Sequence, residues 1–535
     1  MRSSAPTSRA RPRAPSPRGP APLARHAADA EGAPLELVPA LDPALCERAR
    51  MARDARFDGR FFIGVVTTGV YCRPICPVRQ PKSQNVRFYA SAAAAAEAGF
   101  RPCLRCRPES APGTGAWLGT AATVSRALRL IQGGALDEAG VEALAARLGI
   151  GARHLGRLFL RHLGATPVAV AQTRRLHLAK KLLDETVLPM TEIAHAAGYG
   201  SVRRFNESLR ATYGRAPSAL RKLRGGALPP RGASARAAAG AALRAECSIR
   251  LRLAYRPPFA WRALLGFLER RAIPGVEVVS GGSYGRSLAL EGRVGWLAVR
   301  PLAQTNHLEL AVALPDPGPA LVALLARVRR VFDLDADSAT IERDLGRDPA
   351  LAPLLRAQRG LRVPGAFDGF ELAVRAILGQ GVTVAGARTL AGRLVARFGR
   401  PLPPDAAGPG LTHAFPGADV LARADLAGLG LLPARATAIQ LLAREVARGA
   451  LDLETSPGLD AFVASFTRIP GVADWTAQYV AMRALGEPDA FPASDLGLLR
   501  GAQRAFGQRF SAATLARRAD PWRPWRSYAA MHLWG

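Results

Sequence analysis

Cysteine and histidine are scarce in this sequence, and long apolar runs are absent from it. Its 535 residues include six cysteines and eight histidines. A membrane-spanning helix needs about 20 consecutive apolar residues, and no run in the sequence approaches that length. The N-terminus is rich in arginine and proline and lacks the apolar segment of a secretory signal. We therefore expect a cytoplasmic protein that makes no membrane contact.

Acidic residues are also in short supply relative to basic ones. Lys and Arg total 73 against 42 Asp and Glu, which gives a formal net charge of +31. Such a surplus suits a polyanionic partner, and nucleic acid is the first candidate. A chain of this length is too long for one hydrophobic core and predicts about three or four domains.

Most of the few cysteines lie close together. Two pairs, with three and two intervening residues, are formed by Cys72, Cys76, Cys103 and Cys106. No histidine occurs in residues 72–106, and clustered thiolates in a chain without a secretory signal indicate one Zn²⁺ rather than disulfides. A purely structural zinc is the simplest interpretation of such a site. The two remaining cysteines are expected to be ordinary buried thiols: Cys46 and Cys247.

Residues 57–109 resemble the N-terminal domain of the bacterial Ada alkylation-response proteins. The resemblance rests on TTGVYCRPIC at 67–76, on FRPCLRC at 100–106 and on the spacing between them. In that family the first cysteine is a zinc ligand and also a nucleophile, which takes a methyl group from a methylphosphotriester in DNA once and irreversibly. The resemblance therefore implies that Cys72 is catalytic. Zinc would keep its sulfur as the nucleophilic thiolate.

A charge argument connects this chemistry to DNA binding. Four thiolates on one Zn²⁺ leave a net negative centre, and methylation of one sulfur removes one negative charge. Repulsion between the centre and DNA phosphate should then fall. Methyl transfer from damaged DNA would therefore raise the affinity of the protein for DNA.

Two similar patterns occur in the helical segment that follows. Residues 141–159 and 190–206 each indicate a helix, a turn with a left-handed glycine, and a second helix with basic residues near its start. The segment resembles the AraC-type paired helix-turn-helix, including YGRAP at 213–217. A plain helical bundle is the alternative. The side chains that we place at the DNA grooves are Arg153, Arg157, Arg203 and Arg204.

After the predicted linker, apolar and polar residues alternate with a period of two, which predicts strands in a small α+β domain. This domain shows no obvious catalytic residues, and we assign it a structural role. Strands are expected at 287–290, 294–299 and 307–312, with a turn at 291–293, and one amphipathic helix at 258–271.

The last segment contains a helix, a Pro-Gly hairpin and a second helix that begins at Asp474. Free backbone N–H groups at such a helix start can hold a DNA phosphate. Further along, Asp495 is an acidic residue in an otherwise apolar stretch. Considered alone, it is expected to be the N-cap of a helix. Together with AILGQ at 376–380 and the tryptophan-rich end of the chain, these features resemble AlkA-type 3-methyladenine DNA glycosylases across residues 246–535.

This resemblance implies roles for individual residues. Asp495 would be the catalytic aspartate, and the extruded base would lie among Trp475, Tyr479 and Trp534. DNA contacts are implied for Gln380, Gly471 and Ala473. N-alkylated purines are cationic and leave readily, so the enzyme needs a carboxylate that stabilises an oxocarbenium-like sugar rather than a strong general acid.

Several departures and absences qualify the resemblance. Gly381 stands where the family usually has a larger side chain that wedges into the DNA stack, and Ala473 replaces the second glycine of the hairpin. Trp475 stands where lyases of this class carry a lysine, so strand cleavage is not expected. With no cysteine after Cys247, neither an iron–sulfur cluster nor Ada's second, cysteine-based repair domain can be built. The chain ends at Gly535, which predicts that part of the usual pocket wall is missing.

We therefore expect a mainly α, multidomain protein with α+β parts, which senses alkylated DNA, activates transcription with RNA polymerase and excises alkylated purines. The alternative is a regulator with an inactive glycosylase-like domain. The predicted parts are a disordered basic tail at 1–34, a four-cysteine zinc domain at 35–112, a tandem helix-turn-helix bundle at 116–224, a linker at 225–244, an α+β subdomain at 245–316 and a helix-hairpin-helix glycosylase domain at 317–535.

Overall fold

The computed structural model describes residues 41–112, 122–223 and 249–535, apart from 316, 319, 405–406 and 455–457. The predicted tail, the predicted linker and Cys247 lie outside the described residues. The described part is mainly helical and also contains small sheets, which confirms the predicted fold class. None of its helices is both long enough and apolar enough to span a bilayer.

The four-cysteine segment folds around a small mixed sheet with strand order β3–β1–β2–β4. Its elements are α1 (Pro43–Met51), β1 (Phe62–Val65), β2 (Val70–Cys72), β3 (Val86–Tyr89), α2 (Ala92–Glu97) and β4 (Arg101–Pro102). Strands β2 and β4 are parallel, with Tyr71 opposite Pro102. Cys72 ends β2 and Cys103 directly follows β4, so this register brings the two cysteine pairs together.

The next segment is helical throughout. It consists of α3 (Ala122–Gln132), α4 (Ala135–Glu138), α5 (Val141–Arg147), α6 (Ala152–Leu163), α7 (Pro167–Glu185), α8 (Met190–Ala196), α9 (Val202–Tyr213) and α10 (Pro217–Lys222). The pairs α5–α6 and α8–α9 turn at Gly149 and Gly198, whose φ angles are +70° and +88°. A Cβ on Gly198 would lie 2.3 Å from Asp137 Oδ2, so the close packing of this turn also requires glycine. The two predicted helix-turn-helix units are confirmed.

An antiparallel sheet with strand order β5–β9–β8–β7–β6 follows. Its elements are β5 (Ile249–Ala254), α11 (Trp261–Arg271), β6 (Glu277–Ser280), β7 (Ser283–Leu290), β8 (Arg293–Pro301) and β9 (His307–Ala313). The β7–β8 hairpin turns at Glu291 and Gly292, both with positive φ. The predicted turn at 291–293 is one residue too long, because Arg293 already pairs with Leu290 across the two strands. The predicted helix at 258–271 begins later, at Trp261, because the backbone of Ala260 is not helical, with a ψ of 66°. The Ala260 N–H bonds instead to the Gly360 carbonyl of a neighbouring loop at 2.9 Å.

The remaining residues form a helical domain that packs on this sheet. It contains α12 (Ala320–Val331), α13 (Ser338–Leu345), α14 (Ala352–Ala357), α15 (Gly369–Leu378), α16 (Val384–Phe398), β10 (Arg400–Pro401), β11 (His413–Ala414), α17 (Ala418–Leu421), α18 (Pro433–Ala447), α19 (Leu459–Phe466), α20 (Asp474–Arg483), α21 (Leu496–Phe506), α22 (Ala512–Arg518) and α23 (Arg526–Trp534). The β10–β11 pair was not predicted. A tight turn joins α19 to α20, as expected for a helix-hairpin-helix.

Candidate metal centre and carboxylate pocket

The four predicted zinc ligands lie together in the structure. The Sγ atoms of Cys72, Cys76, Cys103 and Cys106 are within 4.8 Å of one another, and all four residues are buried. A tetrahedral zinc with Zn–S bonds of about 2.3 Å holds its sulfurs about 3.8 Å apart, so the cluster has a suitable size. Hydrogen bonding with Cys103 raises the pKa of the Cys72 thiol. Four thiolates this close together repel one another, so a cation among them would be needed for all four to be ionised, and zinc fits this requirement.

A buried ion pair lies directly against this cluster. The Arg73 guanidinium donates to Asp58, with Nε 2.8 Å from Oδ1. The same residue donates its backbone N–H to Cys106 Sγ at 3.4 Å and its Nη1 to the Cys106 carbonyl at 3.1 Å. The Asp58 carbonyl accepts from Arg256 of the loop after β5 at 2.9 Å. The metal centre is therefore connected, through buried polar groups, to the loop that follows β5.

A second contact joins the metal centre to the helix-turn-helix segment. Tyr71, the residue before Cys72, is fully buried, and its hydroxyl is hydrogen-bonded to His177 Nε2 at 2.8 Å. His177 lies on α7, the long helix between the two helix-turn-helix units. Loss of hydration lowers the pKa of His177 to about 4, which keeps the imidazole neutral at physiological pH.

The four arginines predicted to contact DNA are exposed on the second helix of each unit. Arg153 and Arg157 lie on α6, and Arg203 and Arg204 lie on α9. Arg203 Nε donates to Glu207 one turn along the same helix at 2.8 Å. The opposite faces of both helices are buried, so these side chains are free to face a ligand while the helices stay anchored.

Asp495 lies at the centre of the second site, where three N–H groups converge on its carboxylate. It is the N-cap of α21, and Oδ1 accepts the Leu498 backbone N–H at 2.7 Å. Oδ1 also accepts the indole N–H of Trp534 at 2.7 Å, and Oδ2 accepts that of Trp475 at 3.1 Å. The N-cap prediction for Asp495 is confirmed, and the same carboxylate also accepts hydrogen bonds from the two tryptophans predicted for the pocket.

Tyr479 contacts both of the other aromatic residues that were predicted for the pocket. Tyr479 stacks on Trp475 with ring centroids 5.6 Å apart and lies edge-on to Trp534 at 6.4 Å. The Tyr479 hydroxyl accepts from Arg483 Nη1 at 2.6 Å. Burial alone would raise the pKa of this phenol, but the neighbouring cations Arg483 and Arg271 lower it below its usual value. The aromatic cluster therefore has a carboxylate on one side and guanidinium groups on the other.

Two hydrogen bonds from Gln380 fix the hairpin between α19 and α20. Gln380 Nε2 donates to the Gly471 carbonyl and to Thr476 Oγ1, both at 3.0 Å. Gly471 has φ +86°, whereas Ala473 has φ −89° and does not require glycine. The replacement of the second hairpin glycine by alanine therefore leaves the turn unstrained. Gly471 and Ala473 are both exposed at the start of α20.

The backbone at Gly381, where the family usually has a larger side chain, lies in open space. Gly381 is exposed with φ +65°, and no atom lies within 4 Å of the position that a Cβ would occupy. The neighbouring Val382 is 39% exposed.

Comparisons with known proteins agree with this geometry. The metal binding domain of Ada matches residues 45–109, a helix-turn-helix domain matches 144–223, and the AlkA N-terminal domain matches 250–368. A probable bifunctional transcriptional activator/DNA repair enzyme AlkA from Mycobacterium tuberculosis is 43% identical over 489 residues, covering 91% of this chain and 95% of that protein. The chain belongs to this bifunctional AlkA family.

Each half of this bifunctional protein also has separate relatives. DNA-3-methyladenine glycosylase 2 of Escherichia coli is 36% identical over 292 residues, covering 53% of this chain and 95% of that enzyme. The bifunctional transcriptional activator/DNA repair enzyme Ada of the same organism is 39% identical over 148 residues, covering 27% of this chain and 40% of that protein. The bifunctional AlkA protein thus contains an Ada-type domain, with one zinc bound by four cysteines, and a glycosylase domain, and it binds DNA.

Some residues of the two sites were missed by sequence reasoning. Asp58, from the zinc segment, and His177 and Arg256, from later segments, contact the surroundings of the metal centre. Phe267, from a domain expected to be only structural, lies under the Arg483 guanidinium at 4.9 Å. No local motif marks any of them. For Arg483, the four-residue spacing from Tyr479 on a predicted helix was a usable signal.

Proposed function

We propose that this protein senses DNA alkylation at Cys72 and excises alkylated purines with Asp495 as the catalytic residue. The proposal includes the domain boundaries given above, with the zinc domain at 35–112, the regulator at 116–224 and the glycosylase at 245–535. The single observation that supports the repair activity best is the convergence of two indole N–H groups on the Asp495 carboxylate.

In the proposed base excision, Asp495 acts on the sugar and the aromatic cluster acts on the base. The flipped nucleotide places its base among Trp475, Tyr479 and Trp534. An electron-rich indole favours a cationic base such as 3-methyladenine or 7-methylguanine by about 1 to 2 kcal/mol when both are desolvated. The carboxylate stabilises the oxocarbenium-like sugar and assists the attacking water. The hydrogen bonds from both tryptophans hold the carboxylate in one orientation before the substrate arrives.

In the proposed sensing reaction, the Cys72 thiolate attacks the methyl carbon of a methylphosphotriester. A sulfur–carbon bond forms, the carbon–oxygen bond breaks, and the phosphate leaves as a diester anion. With zinc held by Cys72, Cys76, Cys103 and Cys106, the Cys72 sulfur would be kept in its thiolate form at neutral pH. Cys72 becomes a neutral thioether, and the loss of negative charge strengthens DNA binding. The Tyr71–His177 hydrogen bond connects this centre to α7, the helix between the two helix-turn-helix units.

For the regulatory role, we propose that α6 and α9 read successive major-groove turns through Arg153, Arg157, Arg203 and Arg204. Gln380 supports the hairpin, and the N–H groups near Gly471 and Ala473 hold a phosphate. The activator would recruit RNA polymerase, and the protein would work in the cytoplasm on the nucleoid.

A regulator with an inactive glycosylase-like domain is the second candidate. Gly381 favours it, because glycine cannot fill the space that a flipped base leaves in the duplex. The intact arrangement of Asp495, Trp475 and Trp534 favours an active enzyme more strongly.

One experiment separates the two candidates. Wild-type protein and the variant Asp495→Asn are incubated with methylated duplex DNA, and free purines are measured before any treatment with alkali or a lyase. We expect release by the wild type, release at least about a hundredfold slower by the variant, and no strand breaks until alkali is added. If neither protein releases purines above the level found without protein, the inactive-domain candidate is supported. Equal release by both proteins above that level would mean that Asp495 is not the catalytic residue.

A further inference from the structure

Helix α3, the first described helix of the regulator, contacts two domains. Its apolar side chains share a hydrophobic cluster with those of α5 and α6: Val124, Ala127, Leu128 and Ile131. On another face of the same helix, Arg126 and Arg129 contact the glycosylase domain. Because residues three apart are neighbours on a helix, both guanidinium groups reach the same part of that domain.

Both arginines bind the segment that follows α20. Arg126 Nε donates to Glu487 Oε1 at 2.9 Å, and Arg129 Nη2 lies 3.8 Å from the same oxygen. Arg129 Nη1 also donates to the Gly486 carbonyl at 3.3 Å. The side chains of Arg126 and Glu487 are 12% and 4% exposed. The Glu487 charge is therefore compensated by guanidinium groups of the regulator rather than by water.

Residues 487–490 are also bonded to the start of α23. Ser527 Oγ lies 2.8 Å from the Glu487 carbonyl oxygen and 2.7 Å from that of Ala490. The Ser527 backbone N–H donates to the Pro488 carbonyl at 2.8 Å. A shift of Glu487 would therefore move this segment and the start of α23 together.

Helix α23 and the chain after Ala490 both lead to the Asp495 carboxylate. Helix α23 ends at Trp534, whose indole N–H donates to Asp495 Oδ1 at 2.7 Å. The chain itself continues from Ala490 to Asp495, and on the way the Phe491 N–H donates to Gln478 of α20 at 3.1 Å. The position of Glu487 therefore affects the carboxylate by two routes.

We propose that Arg126 is a positioning residue for base excision, which the regulator contributes to the glycosylase domain through Glu487. This inference rests on the proposed glycosylase function. It means that the full rate of base excision requires the first helix of the regulator to be docked on the glycosylase domain.

The first test compares Arg126→Met with Arg147→Met in the full-length protein. Arg147 of α5 also reaches the glycosylase domain, with Nη2 3.9 Å from Asp452 Oδ2, but its side chain is 44% exposed and Asp452 precedes α19. It is the matched control for the docking of the two domains alone.

The rates of the two variants are measured as single-turnover release of alkylated purines at saturating protein. We expect Arg126→Met to be about tenfold slower than wild type, with unchanged affinity for duplex DNA that carries an abasic-site analogue. Arg147→Met should keep the wild-type rate, and Arg126→Lys, which keeps the charge, should recover part of it. Equal rates for Arg126→Met and Arg147→Met would overturn the inference.

A double-mutant cycle with Glu487→Gln shows whether Arg126 acts through the carboxylate. Glutamine keeps the shape of the side chain and removes its charge. In that background, Arg126→Met should cost less than about twofold, because the ion pair is already absent. A further loss of about tenfold would contradict action through Glu487. If Arg126→Met does not fold, Arg126→Gln, which keeps an N–H donor without the charge, replaces it in both tests.

These outcomes are distinguishable from failure of the proposed function. If the wild type releases no purines above the level found without protein, the glycosylase proposal is wrong. If it releases them while Arg126→Met equals Arg147→Met, only the positioning role is wrong.

Discussion

The indole N–H of Trp534 donates to Asp495 Oδ1 over 2.7 Å, and this bond joins α23 to the N-cap of α21. An aromatic residue expected only to stack on the base therefore also holds the carboxylate. Gly497 leaves room for this contact, since a Cβ there would lie 3.4 Å from Trp534 Cδ1 and 3.0 Å from Asp495 Oδ1. Stacking and positioning are thus combined in one side chain.

Replacing Trp534 should separate these two contributions. Trp534→Phe keeps an aromatic face and loses the N–H, so purine release should slow by about tenfold with the preference for cationic bases largely kept. Trp534→Ala should also lose that preference, by more than it loses DNA affinity. Release of 3-methyladenine and of a neutral purine is measured for each variant. Trp261→Phe, which removes an N–H bonded to the Gly282 carbonyl, is the control, and an equal effect there would refute the assignment.

Asp495 variants should distinguish its N-cap role from its chemistry. Asparagine caps helices about as well as aspartate, so Asp495→Asn should unfold at nearly the wild-type denaturant concentration, whereas Asp495→Ala should lose about 1 kcal/mol. Both should release purines at least about a hundredfold more slowly. Urea unfolding and single-turnover kinetics test the two parts separately. An Asp495→Asn protein that is as unstable as Asp495→Ala would mean that the slow rate reflects altered structure.

Methyl transfer should be confined to Cys72. After incubation with DNA that carries methylphosphotriesters, mass spectrometry should find one added methyl on this residue, and Cys72→Ser should gain none. Cys46 is the internal comparison, because burial raises the pKa of its thiol to about 11 and leaves little thiolate. Cys46→Ser should take up the methyl group normally. A methyl on Cys46, or on no cysteine, would contradict the sensor proposal.

Methylation should strengthen promoter binding electrostatically. Protein methylated at Cys72 should bind its promoter more tightly than unmethylated protein, and affinity should fall steeply as salt rises for both forms. The comparison is a salt titration of both forms on one promoter fragment, with Cys72→Ser before and after exposure as the control. Equal affinities at every salt concentration would refute the charge argument.

His177 should make the stability of the described fold depend on pH. The folded-state pKa of His177 is about 4, below the usual value of 6.5. The contribution of His177 to the free energy of unfolding is therefore fully present above pH 6.5 and is lost as the pH falls towards 4. At pH 5 the loss should reach about 2 kcal/mol. His177→Gln removes the titration and should flatten this part of the unfolding free-energy profile between pH 7 and 5. A profile parallel to that of the wild type would show that His177 does not titrate on unfolding.

Local patterns in the sequence determined the elements that depend on neighbouring residues. The two cysteine pairs, the turn glycines at 149 and 198, the β7–β8 hairpin and the Pro-Gly turn before α20 are all fixed by residue type and spacing within short windows. Such features are set by backbone conformations that few residues adopt and by the ligand preferences of zinc. The N-cap role of Asp495 belongs to the same class.

Tertiary packing alone decided which distant residues support these motifs. Asp58 meets Arg73, and Tyr71 meets His177, only after separate elements have packed. The Arg483 guanidinium of α20 likewise meets the Phe267 ring of α11 only in the packed fold. Buried charges and hydroxyls must find partners, and which partner is within reach depends on the crossing of helices and sheets rather than on local sequence. The sequence by itself therefore determined the reactive groups of this protein, whereas the tertiary structure decided how each reactive group is held.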